Sequence, residues 1–249
     1  LDEWRRDAEL FVRKMGSLCC GQAPYRVPEV RIAAGVHPHN AKLYDEALEA
    51  ELLDLLRDPR TSAVGEIGLD YHYDLSPREV QRKVFARQVE IAKEAGLPVI
   101  LHMREAHDDG FEIMQRVGFP EAGTLLHCYN LGPEELERWI EAGCFVAFGG
   151  ALTFKKNDEV RRAALLVPQD KLLSETDSPY MTPEPMRSLS CEPAHVVWVC
   201  TKLADIRLDD DLEPHYSMPS PGDEQRIAFQ EQLYRNARSL LDRPPTAWQ

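Results

Sequence analysis

The feature that most constrains the fold is a regular alternation of short apolar segments with longer amphipathic ones. Six apolar runs of strand length lie at residues 31–36, 63–67, 98–102, 123–127, 144–148 and 171–175. Segments of helix length separate them, and such alternation is typical of a parallel sheet covered by helices. Because the 249 residues are also close to the size of one (β/α)₈ barrel, we predict an α/β fold of the TIM-barrel type, with six of eight strands evident.

The clearest predicted helix covers residues 77–95. We expect Ser76 to cap it, with Glu79 completing a capping box, and Gly96 to end it. Further helices are expected over residues 2–14, 105–117, 133–142, 157–166, 192–203 and 224–241. The acidic, proline-rich stretch 205–222 is predicted to be a surface insertion, within a single domain that covers residues 1–249.

Composition excludes several classes of protein. No apolar segment reaches the roughly 18 residues of a membrane span, and six scattered cysteines without CxxC spacing favour a reducing cytoplasm. A net charge of −13 argues against broad electrostatic binding of nucleic acid. Chemistry on a polyanion would therefore need local positive charge, which divalent ions can supply.

Polar side chains end five of the six predicted strands. They are His37 and His39, Glu66 and Asp70, His102 and Arg104, His127, and Glu175 and Asp177. Barrel active sites lie where the strands end, and imidazole with carboxylate is the ligand set of Zn²⁺, Mn²⁺ or Mg²⁺. Each residue also has a structural interpretation, such as a buried ion pair for Glu66 or a turn cap for Asp177. Taken together, they predict a shared metal centre.

The phrases GVHPH, GEIGLDY, LHMRE, LLHCY and SETDSPY occur in this order between residues 31 and 193. Their wording and spacing resemble those of the TatD-related deoxyribonucleases. The resemblance implies a TIM barrel of the amidohydrolase-like group. It also implies hydrolysis of DNA from single-stranded ends, typically as a 3′-to-5′ exonuclease, with one or two divalent ions (Mg²⁺, Mn²⁺ or Zn²⁺).

The resemblance also implies roles for individual residues. Glu66 is similar to the bridging carboxylate, and His102 and His127 to the imidazole ligands of one ion. Asp177 is similar to the carboxylate that binds a second ion and accepts a proton from the attacking water. The residues similar to the substrate side of the site are His37, Arg104 and Arg187.

One departure from the family pattern concerns the beginning of the chain. Family members open with a strand that carries His-x-His, whereas no such phrase precedes residue 31 in this sequence. We expect a leading strand–helix–strand unit to be missing from this chain. Two other functions stay open: a metal-dependent hydrolase of another ester, amide or aminoacyl bond, and a metal-poor pseudoenzyme or binding protein.

Overall fold

Six strands lie where the apolar runs predict them. They are β1 (Ile32–Ala34), β2 (Thr61–Asp70), β3 (Val99–Arg104), β4 (Thr124–Leu126), β5 (Phe145–Phe148) and β6 (Leu172–Ser174). In the computed structural model they form one sheet in the order β1 to β6, and every pair from β2 to β6 is parallel. Crossover helices place each strand beside the previous one. The predicted α/β class with six evident strands is confirmed.

The structure describes residue 6, residues 30–213 and residues 223–242. The chain forms two compact units, Leu1–Ile32 and Ala33–Gln249. The helix predicted over residues 2–14 lies outside the described residues except at Arg6. The single domain predicted over residues 1–249 stays a prediction, and the described sheet with its helices lies between residues 30 and 242.

Seven α-helices of the described residues accompany the sheet. They are α1 (Glu46–Leu55), α2 (Arg78–Ala95), α3 (His107–Val117), α4 (Pro133–Glu141), α5 (Asp158–Leu166), α6 (Val196–Asp209) and α7 (Glu224–Leu241). Helix α2 packs against β2 and α3, whereas α7 packs against β6 and α6. The sequence did not predict α1, which buries only Leu52 completely and therefore has a weak apolar pattern.

Two predicted boundaries are corrected by the structure. Ser76 does not cap α2, because its hydroxyl donates to the carbonyl of His39 and accepts from the N–H of Lys42. Residues 205–209, predicted to belong to a surface insertion, belong to α6, which continues to Asp209. Asp205 is fully buried within that helix. Residues 214–222 of the insertion lie outside the described part of the chain.

The core lies between the sheet and its helices, and β2 runs through its centre. Every residue of β2 is buried except Glu66, which is partly exposed.

The four described cysteines, Cys128, Cys144, Cys191 and Cys200, are free thiols. None of the described helices combines the length and the apolar character that crossing a bilayer demands.

Two glycines let β2 and β3 approach each other closely beside Glu66. A Cβ atom on Gly65 would lie 2.7 Å from the Cβ of Ile100, and one on Gly68 would lie 2.1 Å from the carbonyl oxygen of His102. Gly68 also has a φ of +140°, which disfavours other residues. The strand register shifts between Val64 and Ile67. Glycine at these two positions therefore allows the packing that holds Glu66 next to β3.

A buried ion pair fastens α7 to α6, and its loss should destabilise the protein. The Asp205 carboxylate is fully buried and accepts from the Arg226 guanidinium at 2.6 Å. We expect Arg226→Ala to lower the free energy of unfolding by about 3–5 kcal/mol, because it leaves a buried charge without its partner. Urea denaturation measures this change. Arg238→Ala removes the pair that this exposed arginine of the same helix forms with Asp242, the residue after the helix, and should lower the free energy of unfolding much less; equal losses would contradict the prediction.

Candidate metal centre

The predicted site residues lie together at one edge of the sheet. Glu66 is on β2 and His102 is on β3, while His127 follows β4 and Asp177 follows β6. The carboxyl ends of parallel strands meet at one edge, so side chains far apart in sequence line a single pocket. His37, which follows β1, lines the same pocket.

Glu66 is the centre of this arrangement. Its Oε1 atom lies 2.8 Å from Nδ1 of His102 and 3.3 Å from Nε2 of His127. The same nitrogen of His127 lies 3.4 Å from Oδ1 of Asp177. Each of the four side chains is between 16% and 31% exposed. Glu66 can therefore share a bound ion with either imidazole, although no group of three ligand atoms within 4.8 Å of one another among the described residues includes it.

Each of the two histidines contacts a further carboxylate through its other ring nitrogen. Nε2 of His102 lies 3.1 Å from Oδ2 of Asp70, and Nδ1 of His127 lies 2.8 Å from Oε2 of Glu175. Asp70 is fully buried and Glu175 is mostly buried. Both rings are thereby held in a fixed orientation.

The histidines of the GVHPH phrase extend the cluster. Nε2 of His39 lies 2.8 Å from Oδ2 of Asp70, and His37 packs edge-on against the rings of His39 and His102, with centroids 4.3 and 4.5 Å away. Burial and the neighbouring His102 lower the pKa of His37 to about 4, so its ring is neutral at pH 7. The three histidines can bring one nitrogen each within 4.8 Å of the others.

Burial and charge determine the protonation of the central groups. Burial raises the pKa of Glu66, but the hydrogen bond from His102 and the charge of His127 outweigh it and lower the pKa to about 2. Burial lowers the pKa of His127, but hydrogen bonds to Asp177 and Glu175 outweigh it and raise the pKa to about 11. Without an ion, His127 is therefore a buried imidazolium among carboxylates.

Two of the six described non-glycine residues with positive φ belong to this site. Cys128 has a φ of 47° and Asp177 a φ of 61°, values that side-chain-bearing residues rarely adopt. The Sγ atom of Cys128 lies 3.8 Å from Oδ2 of Asp177, and with His127 the two residues form a second group of closely spaced ligand atoms. Such strain of about 1–3 kcal/mol per residue is characteristic of functional sites.

The donor set fits a divalent cation. Two ligand atoms that each lie about 2.1 Å from one ion are about 3.0–3.4 Å apart. The contacts of His127 with Glu66 and Asp177 are 3.3 and 3.4 Å long, which is long for an N–H···O hydrogen bond. A cation between these groups would replace the proton that Nε2 of His127 otherwise carries. That these residues bind a cation stays a prediction.

The two arginines predicted on the substrate side lie in different environments. Arg104 lines the pocket, with its guanidinium 4.6 Å from the ring centre of Tyr73. Arg187 is exposed and is absent from the described pocket wall. Its guanidinium stacks on Phe154 at 3.9 Å and donates to the carbonyl of Thr182. The predicted contact of Arg187 with substrate therefore has no support in this geometry.

Several residues of the site had no role assigned from the sequence. His39, Asp70 and Glu175 stand in the phrases GVHPH, GEIGLDY and SETDSPY, so their position at strand ends was visible. Their partners were not, because a carboxylate at a strand end can equally face water or cap a turn. Cys128, to which the sequence analysis assigns no role, also lines the pocket.

Two glutamines of α2 hold the ends of β1 and β2 in place. Gln88 accepts from the N–H of Val36 and donates to its carbonyl. Gln81 makes the same pair of bonds with the backbone of Asp70. Both are buried and lie seven residues apart on one helix face. That spacing of two polar residues on an apolar face was the available sequence signal.

Cation binding at this cluster should release a proton. The pKa of His127 is about 11. At pH 7 both ring nitrogens are therefore protonated until an ion displaces one of the two protons. We expect the apparent affinity for Zn²⁺ to rise with pH, approaching about tenfold per unit. Calorimetry in buffers of different ionisation enthalpy measures the released proton, which His127→Ala should abolish. Zinc binding without proton release would disprove this displacement.

The family model described as TatD related DNase matches residues 21–242 of this chain. The metal-dependent hydrolase YabD of Bacillus subtilis is 35% identical over 175 residues, which is 70% of this chain and 69% of that protein. The 3′-5′ ssDNA/RNA exonuclease TatD of Shigella flexneri is 33% identical over 183 residues, or 71% of this chain and 70% of that protein.

Solved structures agree with these matches. The structure is similar to that of YJJV, a TatD homologue from Escherichia coli K12, with a TM-score of 0.74 and 27% identity. The likeness covers 95% of this chain and 84% of that one. It confirms the predicted TIM-barrel-like fold class, although the six described strands do not close into a ring of hydrogen bonds. From the family match and these similarities together, the chain belongs to the TatD family of metal-dependent hydrolases.

Proposed function

We propose that this protein hydrolyses phosphodiester bonds of DNA, removing nucleotides from the 3′ ends of single strands. The observation that carries the proposal is the convergence of His102, His127 and Asp177 on Glu66 and its surroundings. The name of the Shigella relative, an exonuclease of single-stranded DNA and RNA, supports this choice of substrate.

The side chains divide the work between ion binding, proton transfer and substrate binding. Glu66, His102 and His127 would hold one cation, and Asp177 would hold a second. When bound, Mg²⁺, Mn²⁺ or Zn²⁺ supply a water of lowered pKa as the nucleophile and neutralise charge on the phosphate. Asp177 would accept the proton of the attacking water. Arg104 donates hydrogen bonds to a phosphate oxygen from the pocket wall.

The charge of the pocket explains why cations are needed. Glu66, Asp70 and Asp177 line it, Glu175 contacts His127 of its wall, and Arg104 is the only permanently cationic side chain among the described residues of that wall. This excess of carboxylates would repel a phosphodiester, as would the net charge of −13. Divalent cations reverse the local sign and confine attraction to the point of cleavage.

Exposed apolar side chains at the pocket supply a second source of binding energy. Tyr73, Leu75 and Tyr180 line the pocket and are 52%, 51% and 70% exposed. The ring of Tyr73 is occupied by Arg104, whereas Tyr180 has no ring contact or hydroxyl hydrogen bond within the described chain. Unpaired bases stack on aromatic rings with about 1–3 kcal/mol each. This feature favours single-stranded nucleic acid over other ester or amide substrates.

His127→Ala tests the proposed centre. We expect loss of nucleotide release from end-labelled single-stranded DNA, because the variant removes a cation ligand, while circular dichroism shows a retained fold. His72→Ala, on the exposed surface, is the control and should keep parental turnover.

Other results would support the rival functions. Unchanged turnover in His127→Ala would remove this residue from the centre. If the parent cleaves small carboxyl esters or amides but neither DNA nor RNA, the protein is a hydrolase of those bonds and not of phosphodiesters. Less than one ion per chain together with no hydrolysis would indicate a binding protein.

Tyr180 should contribute to substrate binding rather than to the chemical step. We expect Tyr180→Ala to raise KM for a single-stranded oligonucleotide by about 5- to 100-fold through lost stacking, with kcat nearly unchanged. Tyr180→Phe keeps the ring and should behave like the parent. Steady-state kinetics measure both variants, and an unchanged KM in Tyr180→Ala would rule out the stacking contact.

A further inference from the structure

Both central histidines are bonded through both ring nitrogens, but in opposite senses. His102 faces Glu66 with Nδ1 and turns Nε2 to Asp70. His127 faces Glu66 with Nε2 and turns Nδ1 to Glu175. The two rings therefore present different nitrogens to the same carboxylate.

A neutral imidazole has one N–H and one lone pair, and only the lone pair can bind a cation. Which nitrogen carries the proton is determined by the acceptor that the other nitrogen meets. A carboxylate on the far nitrogen fixes the proton there and leaves the near nitrogen free. It also prevents rotation of the ring.

We infer that Glu175 and Asp70 are positioning residues for the cation ligands. Glu175 keeps the proton of His127 on Nδ1, so that the lone pair of Nε2 faces the pocket. Asp70 keeps the proton of His102 on Nε2, so that the lone pair of Nδ1 faces the pocket. Neither carboxylate is proposed as a ligand of the cation. The inference rests on the cation binding of the proposed function, and it does not depend on which bond is cleaved.

The contacts of Glu175 support a role that fold stability does not explain. Its backbone N–H donates to the carbonyl of Phe148 and fixes the residue at the end of β6. Its Oε2 meets His127, but its Oε1 is buried without a hydrogen-bond partner among the described residues. A buried carboxylate oxygen without a partner is destabilising. A carboxylate at this position is explained if its other oxygen, Oε2, orients the His127 ring.

Asp70 is held far more completely. Its Oδ1 accepts from the backbone N–H groups of His72 and Tyr73, and its Oδ2 meets His39 and His102. The residue is fully buried. Its replacement would disturb the loop after β2 as well as His102, so Glu175 provides the cleaner test.

The experiment compares Zn²⁺ affinity in the full chain with Glu175→Ala, Glu175→Gln and a matched control. Competition with a chelator should show about 10- to 100-fold weaker binding for Glu175→Ala. Glu175→Gln keeps an acceptor oxygen for Nδ1–H and should recover most of the affinity. The control is Glu105→Ala, because Glu105 forms an equally short 2.8 Å pair with His72 at an exposed position; it should bind Zn²⁺ like the parent.

A second measurement separates positioning from a general loss of structure. Nitrogen-15 shifts of the His127 ring in the zinc-loaded parent should show a proton on Nδ1 and none on Nε2. In Glu175→Ala they should show a mixture of tautomers or a ring no longer bound. Circular dichroism identifies a variant that fails to fold, in which case Glu175→Leu, which keeps the bulk of the side chain but offers Nδ1–H no acceptor, takes the place of Glu175→Ala with the same expected loss.

The outcomes distinguish this inference from the proposed function. Parental Zn²⁺ affinity and an unchanged tautomer in Glu175→Ala would overturn the positioning role, even if DNA is hydrolysed. Weakened affinity in that variant, with a parent that cleaves no nucleic acid, would support the positioning role and refute the nuclease. A parent that binds no Zn²⁺ at His127 would overturn both.

Discussion

The contact of one carboxylate with two imidazoles is the interaction on which the rest of this site depends. Glu66 meets His102 at 2.8 Å and His127 at 3.3 Å, and it is the one residue of β2 that is not fully buried. Its position requires β2 and β3 to approach closely at Gly65 and Gly68, where any side chain would collide with the neighbouring strand. The close packing of β2 against β3 therefore also determines where the Glu66 carboxylate lies.

This arrangement is electrostatically unbalanced without a cation. His127 must then carry a proton, since the carboxylates around it raise its pKa to about 11, while the pKa of Glu66 is lowered to about 2. Burying such charges is costly unless each is paired. In the proposed function, a divalent cation would satisfy the same carboxylates and would supply the positive charge that attracts a phosphodiester.

The sequence predicted the members of the site better than their contacts. Glu66, His102, His127 and Asp177 all follow from the rule that polar residues ending parallel strands meet at one edge. The prediction for Arg187 came from the resemblance alone, and its position in the loop after β6 depends on Phe154 and Thr182 rather than on a strand. Helix α1 was missed because its apolar pattern is weak.

By itself, the sequence determined the alternation of strands and helices, the edge at which the polar residues gather and the family. These features follow from local periodicity and from motifs that can be read along the chain. Only the tertiary structure decided which nitrogen of each histidine faces Glu66, and that Glu175 and Asp70 occupy the others. Ring orientation depends on partners brought from distant strands, and periodicity carries no information about such contacts.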